Sequence, residues 1–420
     1  MLVYGIDFGT SNSLLSASNG TDIFEAIPLD LEAADTRILR SVLFFPNRKT
    51  VYFGKKAIDE FVANDLEGRL IRSIKKFLPV KSFNGTFVGE KLFSLEDIIS
   101  VFLAELRKRG NEHFQQDVDS VVLGRPAKFS EDAEADALGQ ARLEKAARIA
   151  GFKHIEFLPE PVAAAREFRK HLTEEKLVFV ADFGGGTSDF TVIRLGPKPF
   201  KPEDVLSIGG VSLAGDAIDG SLMRHRVSKH FGADVQYQVP FGSNVLTMPK
   251  MLMERICAPA DISVLNKRET LSFFENVKQW SLDSTSRQKM DQLFSLIHNQ
   301  LGFSVFEEIE KTKRGLSDEL EVTFNFRYPD LDLSEKVIRT DFDSYNESVY
   351  SRILTEIDST LARAQVKPSD IEAVCMTGGT AKVHFIREEL TRRFGAEKIQ
   401  SHKNFQSIVD GLAERAKELA

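Results

Sequence analysis

Only two cysteines, Cys257 and Cys375, and a single tryptophan occur in 420 residues. The cysteines lie far apart and match no zinc or redox spacing. Disulfide scaffolds and zinc modules are thereby excluded, and a reducing, cytoplasmic setting is expected. Long apolar runs are missing too. Stretches such as Leu177–Ala181 fall far short of the ~18–20 residues a membrane span needs, so no membrane partner is expected. The opening Met-Leu-Val-Tyr-Gly-Ile-Asp has no basic segment and no long apolar core, and does not read as a signal peptide. There is no excess of positive charge. With 62 acids against 55 bases the net charge is −7, which argues against bulk nucleic-acid binding. The 33 phenylalanines against 6 tyrosines read as core packing, not as a stacking platform interleaved with Lys and Arg. Familiar phosphate motifs are absent as well. No G-x-x-x-x-G-K-[ST] occurs, which excludes a P-loop. Two Asp-Phe-Gly triplets lack the H-R-D loop of a protein kinase, and no glycine loop opens a helix as a dinucleotide fold requires.

What is present is an internal repeat. Val3–Ser13 reads VYGIDFGTSNS and Val180–Phe190 reads VADFGGGTSDF. Each is an apolar strand ending in Asp, then a Gly/Thr/Ser turn, then a second apolar strand (Leu14–Ala17; Phe190–Leu195). The duplication predicts two related lobes, each offering one hairpin to a shared cleft. Between the repeats, strands and helices alternate. Val118–Leu123 is predicted as a strand broken by Gly124-Arg125-Pro126. Ser130 is predicted to cap a helix to about Ala150, with Ala135, Leu138, Ala146 and Ile149 on its inner face. Pro159-Glu160-Pro161 opens a second helix to about Leu172. The tail from Phe405 to Ala420 has a helical apolar stripe. The expected division is a first core of residues 1–36, 119–175 and 402–420 with an insertion at 37–118. A second core, of 176–226 and 319–401, carries a mostly helical insertion at 227–318.

In Asp7-Phe8-Gly9-Thr10-Ser11-Asn12-Ser13, Gly and small hydroxyl residues let backbone N–H groups approach an anion. Asp7 at a strand end is the hard oxygen donor that holds Mg²⁺ through waters. An ordinary hairpin turn would use similar residues. Asp182-Phe183-Gly184-Gly185-Gly186-Thr187-Ser188-Asp189 is the stronger loop. Three successive glycines cost ~0.5–1 kcal/mol each relative to Ala in regular structure, a cost tolerated where something must approach the backbone. Flexible connectors seldom sit between two apolar strands, so phosphate binding is the favoured reading of the pair.

These loops resemble the phosphate 1 and phosphate 2 motifs of the actin/hexokinase/heat-shock ATPase superfamily. Further stretches resemble the seventy-kilodalton heat-shock (DnaK-like) branch, in the family's order. Gly124-Arg125-Pro126-Ala127-Lys128-Phe129 and Leu158-Pro159-Glu160-Pro161-Val162-Ala163-Ala164-Ala165 resemble its V-P-A-x-F and N-E-P-T-A-A-A segments. Ile208-Gly209-Gly210 through Gly215 to Asp219 resembles its L-G-G-E-D-F-D stretch. Glu310–Ser317 resembles its adenosine-contacting E-x-A-K-R-x-L-S, and Met376-Thr377-Gly378-Gly379-Thr380 its adenosine loop. The resemblance implies an α/β, actin-like (ribonuclease H-like) fold of two lobes, each a mixed sheet flanked by helices with an inserted subdomain. It implies Mg²⁺ waters held by Asp7 and Asp182 with Asp189 nearby. ATP or ADP phosphates would meet Gly9, Thr10, Ser11, Asn12, Gly184, Gly185, Gly186 and Thr187. Lys75 would neutralise the γ-phosphoryl group and Glu160 would orient or deprotonate the attacking water. Gly215, Glu310, Lys313, Ser317, Gly378, Gly379 and Lys382 would serve the nucleotide, mainly at adenosine. Read without the resemblance, Lys75 sits among Leu70, Ile71, Ile74, Phe77 and Leu78 on what could be an exposed helix face. Glu160 could equally be a helix-capping carboxylate.

The departures from the pattern are specific. Gly124-Arg125 replaces the usual Thr-Val, Lys382 replaces an arginine, and Phe405 aligns with an aspartate. No L-L-L-D-V-type linker follows residue 405, so peptide clamping of the family's usual kind is not expected. The short YegD-like group of the family fits best. The expected function is a slow, ATP-driven conformational switch on protein partners: clients, and a co-chaperone or exchange factor. The rival readings are a sugar-type kinase, a filament-forming protein and an ATP sensor without hydrolysis.

Overall fold

The computed structural model describes residues 1–64, 67–130, 132–169, 172–197, 201–258, 262–401 and 407–420. Phe405 and the start of the predicted tail helix lie outside them. The first repeat gives β1 (Val3–Phe8) and β2 (Asn12–Ser18), antiparallel, with β3 (Ile23–Phe24) beyond β2. On the other side of β1 lie β4 (Ser120–Arg125) and β5 (His154–Pro159), both parallel. The second repeat gives β6 (Lys176–Phe183) and β7 (Ser188–Leu195), antiparallel, with β8 (Val205–Val211) beyond β7. Beside β6 lie β9 (Ala373–Thr377) and β10 (Ile399–Ser401), both parallel. Strand for strand, the order β5-β4-β1-β2-β3 repeats as β10-β9-β6-β7-β8, with the same directions. This is the mixed α/β, actin-like architecture that the repeat and the resemblance predict.

Why these residues form these strands is plain from burial. Every residue of β1 is buried, as are the last six of β6, so continuous apolar runs covered on both faces become central strands. The strand predicted at Val118–Leu123 is displaced by two residues, to Ser120–Arg125. Gly124 and Arg125 still pair with Leu158 and Pro159, and only Pro126, which has no N–H, ends the ladder.

Helix α1 (Leu95–Phe114) opens with a capping box between Ser94 and Asp97 and packs on α2 (Ala133–Ile149). The α2 cap is Asp132, not Ser130. The Asp132 side chain accepts the Ala135 N–H at 2.8 Å, while the Ser130 hydroxyl is taken by the Asp132 amide. The buried face of α2 also differs from the predicted stripe: Gly139, Arg142, Leu143, Ala146 and Ala147 face inward and Ile149 is exposed. Arg142 displaces apolar candidates because its guanidinium finds the carbonyls of Phe77, Leu78 and Val80 at 3.4, 3.2 and 3.0 Å. Helix α3 (Glu160–Arg169) follows β5 directly.

By packing, the chain forms two compact units. The first comprises Met1–Gly215, Arg352–Ala381 and Arg387–Ala420 and holds both sheets; the second comprises Asp216–Ser351 and Lys382–Ile386. The second unit is built on α4 (Gly302–Asp318) and the hairpin Glu321–Tyr328/Leu331–Ile338, whose second strand alternates buried and exposed residues. In the first unit, α3 and α5 (Ser407–Leu419) share one apolar core with both sheets, including Val3, Val122, Ala163, Val180, Cys375 and Leu412. The two helices cross so closely that a Cβ on Gly411 would lie 1.8 Å from the Ala163 carbonyl oxygen. Gly411→Ala is therefore expected to cost about 2–3 kcal/mol of stability. The check is a urea melt, in which the midpoint falls and the slope stays constant. An unmoved midpoint would show that the helices separate without penalty.

Candidate functional site

The two hairpin turns are built alike. The Gly9 N–H donates to the Asn12 carbonyl at 3.0 Å, and the Gly184 N–H donates to the Thr187 carbonyl at 2.9 Å. Asp7 and Asp182 sit at the same register, two strand residues before each glycine. The turns also come together: a Cβ on Gly186 would lie 3.3 Å from the Thr10 hydroxyl. None of Gly184, Gly185 and Gly186 has a positive φ, so their backbone conformation does not demand glycine. What glycine supplies at 184 and 186 is space, since an added Cβ would be tight in both places.

Five ionisable side chains of the first unit converge beside these turns: Asp7, Asp182, Asp189, Lys75 and Glu160, all buried. Lys75 stands on the short turn Ile74–Phe77, which enters through a left-handed Ser73 and is held at its far end by Arg142. The exposed helix face allowed by the flanking residues does not form. Instead Lys75 Nζ donates to Glu160 Oε1 at 2.5 Å, with both side chains 7% exposed. Glu160 is the first residue of α3, and Gly124 leaves room for its side chain; a Cβ there would lie 3.3 Å from Glu160 Cγ.

The electrostatics are strongly acidic. Burial pushes Asp7 well above the usual carboxylate range; Glu160 and Asp182 repel it further, and Lys75 only partly compensates. Burial, then repulsion by Glu160, pushes Asp182 up to about 6, against the Thr377 hydroxyl, which donates to its Oδ1 at 2.6 Å. Burial, Glu160 and Asp182 push Asp189 up to about 8. Burial opposes the Lys75 ammonium, yet Glu160 and Asp7 outweigh it and hold Lys75 above its ordinary value. Four acids therefore surround one lysine, and extra positive charge would relieve them. Asp189 Oδ1 accepts the Ala127 N–H at 2.8 Å, while its Oδ2 is buried with no hydrogen bond in range; the nearby Thr187 hydroxyl favours the charged carboxylate. An orphan carboxylate oxygen among crowded acids is a donor set that fits a hard divalent cation. Among the described residues no three His, Cys, Asp or Glu side chains form a metal cage on their own.

The remaining predicted residues fall as follows. Gly215 donates its N–H to the Gly184 carbonyl at 3.3 Å. Gly378, with φ +84°, lies against the end of β6; a Cβ there would meet the Phe183 carbonyl at 2.2 Å, so a side chain is excluded. Gly379 begins the turn after it. Ser11 is exposed, and Thr10 and Asn12 are half-buried. Glu310, Lys313 and Ser317 lie on α4 in the second unit, and Lys382, which ends the turn Gly379–Lys382, also belongs to that unit. Lys313 is buried and paired with Asp219 at 2.9 Å. Sequence reasoning missed Ser41, whose hydroxyl donates to the Gly9 carbonyl at 2.7 Å and so ties down the first turn. It also missed Thr380, which does the same for Gly184 at 2.8 Å. Thr380 lies inside the Met376–Thr380 motif and was within reach. Ser41 carries no local signal.

The sequence also matches known proteins. The family model described as "Hsp70 protein" matches residues 3–303 and 298–417. The chain is 24% identical to "Chaperone protein DnaK" of Thermosipho melanesiensis over 430 residues, and 23% identical to that of Thermotoga neapolitana over 429. It is 26% identical to "Chaperone protein HscA homolog" of Burkholderia cenocepacia over 441 residues. These alignments cover all of this chain, which spans 58–59% of the length of those relatives.

Proposed function

The chain belongs to the Hsp70 family, and from that premise we propose that it binds Mg·ATP and hydrolyses it slowly, as a conformational switch acting on protein partners. One observation carries the reading: two duplicate hairpin turns meet beside a buried Lys75–Glu160 pair and three cation-seeking aspartates. Members of this family are ATPases.

In this reading Asp7 and Asp182 would hold the Mg²⁺ waters, with the buried Oδ2 of Asp189 beside them. A magnesium ion there supplies positive charge to the phosphates. Backbone N–H groups of Gly9–Asn12 and Gly184–Thr187, with the Thr10 and Thr187 hydroxyls, donate to phosphate oxygens. Lys75 brings its ammonium to the terminal phosphoryl group, where phosphoryl transfer depends chiefly on positioning and charge. Glu160, held by Lys75, accepts a hydrogen bond from the attacking water and aligns it. Gly378, Gly379, Glu310, Lys313, Ser317 and Lys382 are assigned to adenosine on the family resemblance. Loss of the terminal phosphoryl group releases contacts that only ATP makes, and this drives the switch. Clients and a co-chaperone or exchange factor are the proposed partners. Both cysteines are free and buried, with burial pushing each thiol up to about 12, which fits a proposed cytoplasmic setting. Among the described residues no helix is long and apolar enough to cross a membrane.

The test is single-turnover hydrolysis with Mg²⁺ and protein in excess, beside Glu160→Gln. We expect slow wild-type hydrolysis and at least a ~100-fold loss in the variant, the lower end of the range for a positioned acid–base group, with ATP still bound. Tight binding without hydrolysis in either protein would defeat the ATPase reading and leave a nucleotide sensor.

A further inference from the structure

We propose that Arg125 and Asp136 form a positioning clamp that sets the Asp189 carboxylate through the Ala127 amide. This rests on the Mg·ATP reading above and adds to it two residues, of which Arg125 departs from the family pattern. Where that pattern has an apolar side chain before Pro-Ala, this chain has Arg125, at the last position of β4.

The Arg125 guanidinium makes a dense set of contacts. Its Nη2 donates to both Asp136 oxygens, at 2.9 and 3.0 Å. Its Nη1 donates to Gln140 Oε1, and its Nε donates to the Pro126 carbonyl at 3.1 Å. The cation also lies 5.0 Å from the Phe129 ring centroid. Asp136 in turn accepts the Phe129 N–H at 2.6 Å. The turn Pro126–Phe129 is therefore tied to α2 at both ends, by the Pro126 carbonyl and the Phe129 amide. Between those ties the Ala127 amide reaches the site, donating to Asp189 Oδ1 at 2.8 Å.

That link has a directional consequence. With Oδ1 engaged by Ala127, Oδ2 is the oxygen left over, and it is the buried one with no hydrogen bond in range. An aspartate side chain turns only about its Cα–Cβ and Cβ–Cγ bonds, so an amide held at one oxygen narrows the positions open to the other. Supporting groups must hold a site to within about 0.5 Å, and a misplacement of about 1 Å costs up to ~10²-fold in rate. A surface ion pair would have no such leverage. This pair is partly buried, at 15% and 26% side-chain exposure, and charge-assisted. Arg125 and Asp136 act through Ala127 and are positioning residues.

The experiment uses the full chain with Arg125→Ala, Arg125→Lys, Asp136→Asn and the double variant Arg125→Ala/Asp136→Asn. Three quantities are read: the single-turnover rate with Mg²⁺, the Kd for Mg·ATP, and amide hydrogen exchange at Ala127 with Val122 as internal control. In Arg125→Ala we expect the rate to fall about 10- to 100-fold while Kd stays within about threefold. Ala127 exchange accelerates at least tenfold, and Val122 exchange is unchanged. Arg125→Lys falls between, and the double variant is no slower than Arg125→Ala, because both changes break one link. If Arg125→Ala does not fold, the near-isosteric Asp136→Asn carries the same test. Rate and affinity falling together, or Ala127 exchange left unchanged, overturns the clamp. If wild type neither binds nor hydrolyses Mg·ATP, the Mg·ATP reading fails on that result. The exchange measurement then still decides whether the clamp holds the turn.

Discussion

Lys75→Ala is expected to lower stability by about 3–5 kcal/mol and to abolish hydrolysis, whereas Lys75→Met combined with Glu160→Gln regains most of the stability and none of the activity. The pair is buried on both sides and sits at 2.5 Å. Removing the lysine leaves Glu160 beside Asp7, Asp182 and Asp189, four acids with no cation among them. Breaking a buried pair from one side has that cost because the remaining charge is neither solvated nor paired. Replacing both partners with uncharged groups of similar shape removes the penalty. A fold that used the pair only as a strut would then work as before. A site that uses the ammonium at the phosphoryl group and the carboxylate at the water would not. Urea melts read the first effect and single-turnover hydrolysis the second. An active double variant would make the pair structural only, and a fully stable Lys75→Ala would mean that the pair does not form in solution.

The same pair shows what was legible in the sequence. The hairpins could be read because their signals are local: an apolar run, an Asp, a four-residue glycine turn and a second run, twice over. Their equal register and matching Gly9–Asn12 and Gly184–Thr187 bonds follow from that spacing. Asp7 and Asp182 were legible with them, whereas Glu160 and Gly378 stood out only through the family resemblance, Glu160 alone being equally well read as a helix cap. Lys75 was not settled locally, because its neighbours fit a solvated helix as well as a buried turn. Its burial depends on a carboxylate 85 positions away. Arg142 went unread for the same reason: nothing near it announces three carbonyls on the Lys75 turn, so an apolar stripe through Ile149 looked better. Asp132 displaced Ser130 as a cap because two adjacent cap-forming side chains competed, and the aspartate reached the free amide. The Gly411–Ala163 crossing joins segments more than 240 positions apart, and no periodicity encodes it.

Stability without ligand should fall as pH rises, and Mg²⁺ should reverse the trend. Asp182 has a folded pKa of about 6 and Asp189 about 8, both above the ordinary 3.8. Between those values the folded chain keeps protons that the unfolded chain has released. Stability then decreases with pH wherever the native state binds more protons. The contribution is complete below about pH 4 and is lost as pH climbs through 6 and then 8. For Asp182 alone, a rise from 3.8 to about 6 corresponds to about 3 kcal/mol. Lys75, held above its ordinary value, stays charged across this window and does not change the sign. Once deprotonated, the same carboxylates are the better cation donors, so Mg²⁺ should raise the melting temperature more at pH 8 than at pH 5. Asp189→Asn should flatten the upper half of the ligand-free profile, because it removes the later titration while keeping an acceptor for the Ala127 amide. Thermal melts from pH 5 to 8.5, with and without Mg²⁺, measure all three effects. A flat ligand-free profile, or an equal gain from Mg²⁺ at both ends, would mean that these aspartates are not the crowded, proton-holding cluster their burial implies.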